Sequence, residues 1–285
     1  MKKILVVGSI NVDLTTVTKT IPKKGETVIG ESFAILPGGK GANQAVAASR
    51  LGANVSFYGN IGNDDFGNYL LNNFKKNNID TKFIKKVDLN TGVANIIVHE
   101  GDNQIIVNRG ANEAFRSSDF DKSILDNFDI ISLQNEIDVN FTHFIIEEAF
   151  KKNKIIVFNP APYNNDLSIE LIDKATYIIL NEIEANMMLG KDFKTKLKDY
   201  ANKVIITLGG DGVIYFNGSE YVQVVSNNVP VIDTTGAGDT FCGAFISALS
   251  EGYSINSSIT KANTAASYSI QKLGAQSAMP WKGEI

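Results

Sequence analysis

Six short, largely apolar runs without polar–apolar alternation recur along this chain: Ile4 to Val7, Val55 to Tyr58, Ile130 to Leu133, Ile155 to Phe158, Tyr177 to Leu180 and Val204 to Thr207. A strand exposed on one face alternates polar and apolar residues, whereas a continuously apolar strand needs cover on both faces. Helical patterns follow several of these runs, at Asn43 to Leu51, Phe66 to Lys76, Asn140 to Lys152, Glu184 to Leu189, Ala237 to Leu249 and Ser257 to Lys272. This alternation predicts an α/β fold: a doubly wound, mostly parallel sheet with helices on both faces and right-handed crossovers. Two stretches break it. Thr15 to Leu36 and Thr91 to Asn108 are β-rich, punctuated by turn residues and free of helical patterning. In the second, Gly101-Asp102-Asn103 separates two apolar runs, a hairpin signal. The two excursions are expected to pair into a small β layer beside the main sheet. No repeat or linker divides the 285 residues, so one domain spanning 1–285 is expected.

Charge and cysteine content exclude several classes of function. A formal net charge of −4 offers no broad attraction to nucleic acid or to an acidic membrane. Met1-Lys2-Lys3 and the apolar residues after it begin like a signal peptide, but Gly8, Asn11 and Asp13 end the run too early. No stretch approaches membrane-spanning length. The single Cys242 cannot form an internal disulfide, which points to a reducing, cytoplasmic setting, and its apolar neighbours make it a small core residue. His99 and His143 lack partners at ligand spacing.

The richest chemistry lies at Asp233-Thr234-Thr235-Gly236-Ala237-Gly238-Asp239, which leads into an apolar helical run. The first turn of a helix has unpartnered N–H groups and a dipole that favours anions. Gly236, Ala237 and Gly238 let a large anion approach that backbone closely. A carboxylate is electrostatically unwelcome there, so Asp239 suits a general base acting beside a phosphate. At the other end of the chain, Gly38-Gly39-Lys40-Gly41-Ala42-Asn43 opens an Ala-rich helix that Gly52 can cap. Lys40 is followed by Gly41, not Ser or Thr, so this is no Walker phosphate loop. Gly8-Ser9-Ile10-Asn11-Val12-Asp13 lacks the later glycines of a dinucleotide fingerprint, which argues against an oxidoreductase. Asn11 and Asp13 follow the first strand, at the carboxyl end where open α/β sheets bind ligands. Amides and carboxylates of this kind suit a polyol, whose hydroxyls both donate and accept. Asn181-Glu182-Ile183-Glu184 and Thr207-Leu208-Gly209-Gly210-Asp211-Gly212 follow two further strands, the second a turn open to close ligand approach.

These motifs, in this order, resemble the ribokinase-like family of carbohydrate kinases over nearly the whole chain. The resemblance implies ATP-dependent phosphorylation of a sugar, first of all D-ribose at its 5-hydroxyl, by in-line transfer with Asp239 as base. Kinases for 2-deoxyribose, other sugars or nucleosides, and a non-catalytic sugar-binding relative, are the alternatives; the intact Gly236-Ala237-Gly238 turn with Asp239 argues against the last. The resemblance places sugar contacts at Asn11, Asp13, Gly39, Lys40, Gly41, Asn43 and Glu136. It places ATP over Thr207, Leu208, Gly209, Gly210, Asp211 and Gly212, with Asn181 and Gly238 near the phosphates and Asn263 toward the nucleoside. Glu184 would organise Mg²⁺ through water, as suits a hard, oxygen-ligated cation. Asp233, Thr235, Ser269, Lys272 and Gly274 match positions around a monovalent cation (K⁺), although Ala278 removes one possible hydroxyl ligand. The β-rich segments, about 15–36 and 91–108, would form a lid over the site and a homodimer contact.

Overall fold

The computed structural model describes residues 1–163 and 170–285. In chain order, β1 (Lys3–Val7), β2 (Asn11–Val17), β3 (Ser32–Gly38) and α1 (Lys40–Arg50) lead to β4 (Asn54–Gly62), α2 (Asp65–Lys76) and β5 (Asp80–Val87). Then come β6 (Gly92–His99), β7 (Asp102–Asn108), β8 (Ile130–Gln134), α3 (Val139–Lys151), β9 (Ile155–Asn159) and α4 (Glu170–Lys174). The C-terminal part holds β10 (Tyr177–Asn181), α5 (Glu182–Leu189), α6 (Phe193–Lys196), β11 (Val204–Thr207), β12 (Val213–Phe216), β13 (Tyr221–Val224), α7 (Ala237–Glu251) and α8 (Ile255–Ser269).

Nine strands form the main sheet in the order β13-β12-β11-β10-β9-β8-β1-β4-β5. Its pairs are parallel from β5 through β11, and only β12 and β13 join antiparallel. The period of two, with both faces covered, explains the largely apolar runs. On β1, Ile4 and Val6 pack with α1, α2, α7 and α8, while Leu5 and Val7 pack on the opposite face with α3, α4 and α5. Among the described residues no helix is long and apolar enough to cross a membrane.

The second sheet has the order β3-β2-β6-β7. Asn11 and Asp13, read above as residues that trail the first strand, in fact open β2 of this smaller sheet. The chain leaves β1 at Val7 and needs only three residues to cross from one sheet into the other. The β6–β7 turn is also tighter than expected. His99 pairs with Asp102, so the turn residues are Glu100 and Gly101, both at positive φ (52° and 86°). That conformation matches strand twist in a two-residue hairpin, and Asp102 and Asn103 belong to the strand.

Two glycine-mediated contacts fix how α1 sits. A Cβ on Gly41 would lie 2.8 Å from Gly8 Cα, so helix and loop meet backbone to backbone. A Cβ on Gly243 of α7 would lie 2.5 Å from both Ala47 Cβ and Gln44 O. The Ala-rich face of α1 and this glycine let α1 and α7 approach closely, which brings the start of each helix to one site.

Candidate active site

Gly236 caps α7 with φ 75°, a left-handed conformation suited to glycine. A Cβ there would also lie 2.9 Å from Ala275 Cβ. Asp239 follows in the first turn and is only 7% exposed. Asn43 Nδ2 donates to its Oδ2 at 2.9 Å, and Gln44 Nε2 donates to its Oδ1 at 3.3 Å. The carboxylate therefore rests between two side-chain amides of α1.

Asp239 lines a cavity of about 240 Å³ together with Lys40, Asn181, Glu184, Thr234, Gly236 and Gly238. Lys40 faces three carboxylates: Asp239 above all, with Glu136 and Glu184, holds its ammonium above the usual lysine range against the opposing effect of burial. Glu184 is 8% exposed rather than the solvated helix carboxylate that its motif alone would suggest. Its Oε2 accepts from Asn181 N at 2.9 Å while its own N–H donates to Asn181 Oδ1 at 2.8 Å, a capping box that starts α5. Burial raises the Glu184 carboxyl above its ordinary range, although the Asn181 N–H and Lys40 oppose this.

A wider cavity of about 640 Å³ adjoins the first and shares Asn181, Thr207, Thr234 and Gly238 with it. Leu208, Gly209, Gly210 and Gly212 line it on one side, Asn263, Ala266 and Ile270 on another. Of the expected nucleotide residues only Asp211 stands outside this lining; it is exposed, and its carbonyl accepts from Gln223 Nε2.

On the other side of Asp239 lie the residues read as sugar contacts. Asp13 and Asn11 occupy space that exists because two neighbours are glycines. A Cβ on Gly38 would sit 2.2 Å from the Asp13 carboxylate, and one on Gly92 would sit 2.3 Å from Asn11 Oδ1. Burial chiefly, then the charges of Glu136 and Asp239, push the Asp13 pKa up to about 7. Asn11 Oδ1 accepts from Asn112 Nδ2 at 2.8 Å, and Asn112 also bonds both backbone polar groups of Ile10. Glu136 Oε2 accepts from Ser9 Oγ at 2.6 Å and from Lys40 N at 2.9 Å, so one of its oxygens anchors the start of α1.

The cation positions divide. Asp233 accepts from Thr235 N at 2.9 Å and from Gly274 N at 2.8 Å, which joins the two loops. Burial would raise the Asp233 carboxyl, but these hydrogen bonds outweigh it and hold the group below its ordinary range. The Ser269 hydroxyl turns back to Ala266 O, and the Lys272 ammonium reaches Tyr268 and Glu284, so neither side chain is spent on that loop junction.

Sequence reasoning gave no site role to Asn112, Gln44, Gln134, Gln276 or Asn159. All five are buried amides beside these loops. An amide inside an otherwise apolar or Ala-rich run was the available signal.

A model of the pfkB family carbohydrate kinases matches residues 1–282, and the chain belongs to that family. It is 43% identical to the ribokinase of Lactococcus lactis subsp. lactis, covering all of this chain and 96% of that one. It is 41% identical to the Bacillus subtilis ribokinase, covering 100% and 98%. The ribokinase of Thermotoga maritima superimposes with a TM-score of 0.90 at 36% identity, covering 100% of this chain and 98% of that one. Arabidopsis thaliana ribokinase, solved with ribose and ATP, superimposes with a TM-score of 0.89 at 28% identity over 99% and 96% of the two chains.

Proposed function

We propose that this chain transfers the γ-phosphoryl group of ATP to the 5-hydroxyl of D-ribose, giving D-ribose 5-phosphate. The observation that carries this reading is Asp239, a buried carboxylate at an open helix N-terminus, with a polyol-type side on β2 and a nucleotide-sized cavity beside it. Asp239 takes the proton as the hydroxyl attacks, while the N–H groups of Gly236 and Gly238 stabilise charge on the group in transfer; the Ala237 N–H, expected to join them, donates to Thr234 O at 3.1 Å and closes the turn instead. The Lys40 ammonium, aimed into the same cavity, adds positive charge where negative charge builds. Asn11, Asp13, Asn43, Glu136 and the Gly39–Gly41 backbone hold the sugar; ATP lies along the wider cavity. Whole-chain likeness to ribokinases, one of them solved with ribose and ATP, supports the substrate pair.

The residues also fit Mg²⁺: Glu184 is buried against the Lys40 side of the cavity with one oxygen engaged and hard donors nearby. The ion would supply charge neutralisation on the phosphates, with Glu184 and Asn181 holding its waters. A monovalent cation beside the anion-binding turn, near Asp233, the Thr235 carbonyl and the carbonyls at Ser269, Lys272 and Gly274, is part of the same reading. So are a single kinase domain whose small sheet acts as a lid, a homodimer through that sheet, and a cytoplasmic setting.

The test is a panel of sugars with ATP and coupled ADP detection. D-ribose should exceed 2-deoxyribose in kcat/KM by about tenfold or more, because a site built around a hydroxyl penalises its loss. Equal use of the two would assign specificity to another group. Phosphate on the anomeric oxygen would overturn the proposed orientation.

A further inference from the structure

Behind Asp239 runs a chain of side-chain amides, most of them buried. On one side, Asn73 Nδ2 donates to Gln276 Oε1 at 2.8 Å, Gln276 Nε2 to Asn43 Oδ1 at 2.9 Å, and Asn43 Nδ2 to Asp239 Oδ2 at 2.9 Å. On the other, Gln134 Nε2 donates to Gln44 Oε1 at 2.7 Å, and Gln44 Nε2 reaches both Asp239 Oδ1 and Asn159 Oδ1 at 3.3 and 3.1 Å. Asn159 in turn donates to Ile179 O. Gln44, Gln134 and Gln276 are 0%, 1% and 3% exposed.

The direction of every bond follows from one end. An ionised carboxylate only accepts, so Asn43 and Gln44 must present their NH₂ groups to Asp239. Their oxygens then face outward and demand NH₂ groups from Gln276 and Gln134, and Gln276 demands one from Asn73. Turning any amide over would set two oxygens face to face. Gln134 Oε1, at the far end of one branch, finds no hydrogen-bond partner among the described residues and abuts Gly8. A buried acceptor left unpaired costs about 1–3 kcal/mol, a cost that an apolar side chain at the same place would avoid. Stability alone gives no reason for so many buried amides to converge on one carboxylate.

We infer that Gln44 and Gln276, backed by Gln134 and Asn73, are positioning residues that clamp the two oxygens of Asp239 and so fix the direction in which it accepts the substrate proton. This inference rests on the assignment of Asp239 as the base. The carboxylate has four acceptor sites. The amides take one on each oxygen and hold the side-chain torsion, which leaves the remaining sites aimed at the cavity. A misplacement of about 1 Å between base and hydroxyl costs about 10²-fold.

The test compares Gln44→Met and Gln276→Glu with Asp239→Asn. Gln44→Met keeps the length of the side chain and removes the donor; Gln276→Glu, in its ionised form, removes the donor to Asn43 and favours the turned-over amide, which offers its oxygen to Asp239. Both leave in place the titrating groups whose charges are felt at Asp239: Asp13 on β2, Lys40 on α1, Glu184 on α5 and Cys242 on α7. We expect kcat to fall by about tenfold or more in both, with KM for ATP changed by less than about threefold in both and KM for sugar changed by less than about threefold in Gln44→Met. In Gln276→Glu the acid limb of the pH–rate profile should move to higher pH, and Gln276→Met should lower kcat without that move. Circular dichroism and thermal melting identify folded variants; if Gln44→Met does not fold, the Gln276 pair decides alone. Folded variants with normal kcat and an unmoved acid limb would overturn the clamp. Near-normal turnover in Asp239→Asn would instead overturn the base, so the two failures are distinguishable.

Discussion

With burial and the Glu136 and Asp239 carboxylates pushing its pKa up to about 7, Asp13 is about half protonated in the free protein at neutral pH. To accept hydroxyl hydrogens on both oxygens it must ionise, so on the proposed reading sugar binding should release a proton and weaken below neutrality. KM for D-ribose should rise about tenfold from pH 8 to pH 6, and Asp13→Asn should flatten that dependence while weakening binding. A flat KM in the unsubstituted protein would show that Asp13 does not read hydroxyls. Stability carries the same sign. A carboxyl raised from 3.8 to about 7 keeps its full favourable contribution below 3.8 and loses it as pH rises through 7. The ligand-free protein should therefore lose stability across that window, and Asp13→Asn should melt higher than the parent at pH 8. Asp239→Asn belongs at this scale too: the fold and sugar binding persist, while turnover falls by about 10²-fold or more.

Among the elements, the α1–α7 contact sets the site most directly, because Gln44 and Asn43 meet Asp239 across it. Gly243→Val would insert two methyl groups where Ala47 and the Gln44 carbonyl leave no room for even one carbon. We expect a loss of about 1–3 kcal/mol with a fall in kcat larger than the fall in folded fraction, measured by melting and initial rates together. Elements were legible in the sequence where burial was complete. The six largely apolar runs became six strands of the main sheet because each is covered on both faces. β5, with its sequence Asp80-Thr81-Lys82-Phe83-Ile84-Lys85-Lys86-Val87, lies at a sheet edge half in water, and its lysines hid it. β12 and β13 at the other edge are only four residues each, too short to establish a period. The glycine-rich motifs disclosed the site because their glycines answer to local backbone demands. The amides behind Asp239 went unread because their partners are 90 to 233 residues away in sequence, and no local pattern encodes such a meeting.

For the molecule as a whole, the small sheet ends on two outer strands, β3 and β7, that expose Phe33, Ile35, Ile105, Ile106 and Val107. Exposed apolar strand edges invite pairing, and a second copy of the chain is the partner we propose. Light scattering at micromolar concentration should give a dimer, and Phe33→Asp combined with Ile105→Lys should give a folded monomer. A monomeric parent with full activity would contradict this assembly.

The three-residue crossing from β1 to β2 has a consequence for fidelity. Asn11 and Asp13 ride on the small sheet, whereas Asp239 rides on a helix packed against the large one. On the proposed reading, a sugar that bonds to β2 at one end and presents a hydroxyl to Asp239 at the other would bridge the two sheets. A water molecule, too small to make both contacts, would not bridge them. On that reading, discrimination between sugar and solvent as phosphoryl acceptor would be a matter of molecular span as much as of hydrogen-bond recognition.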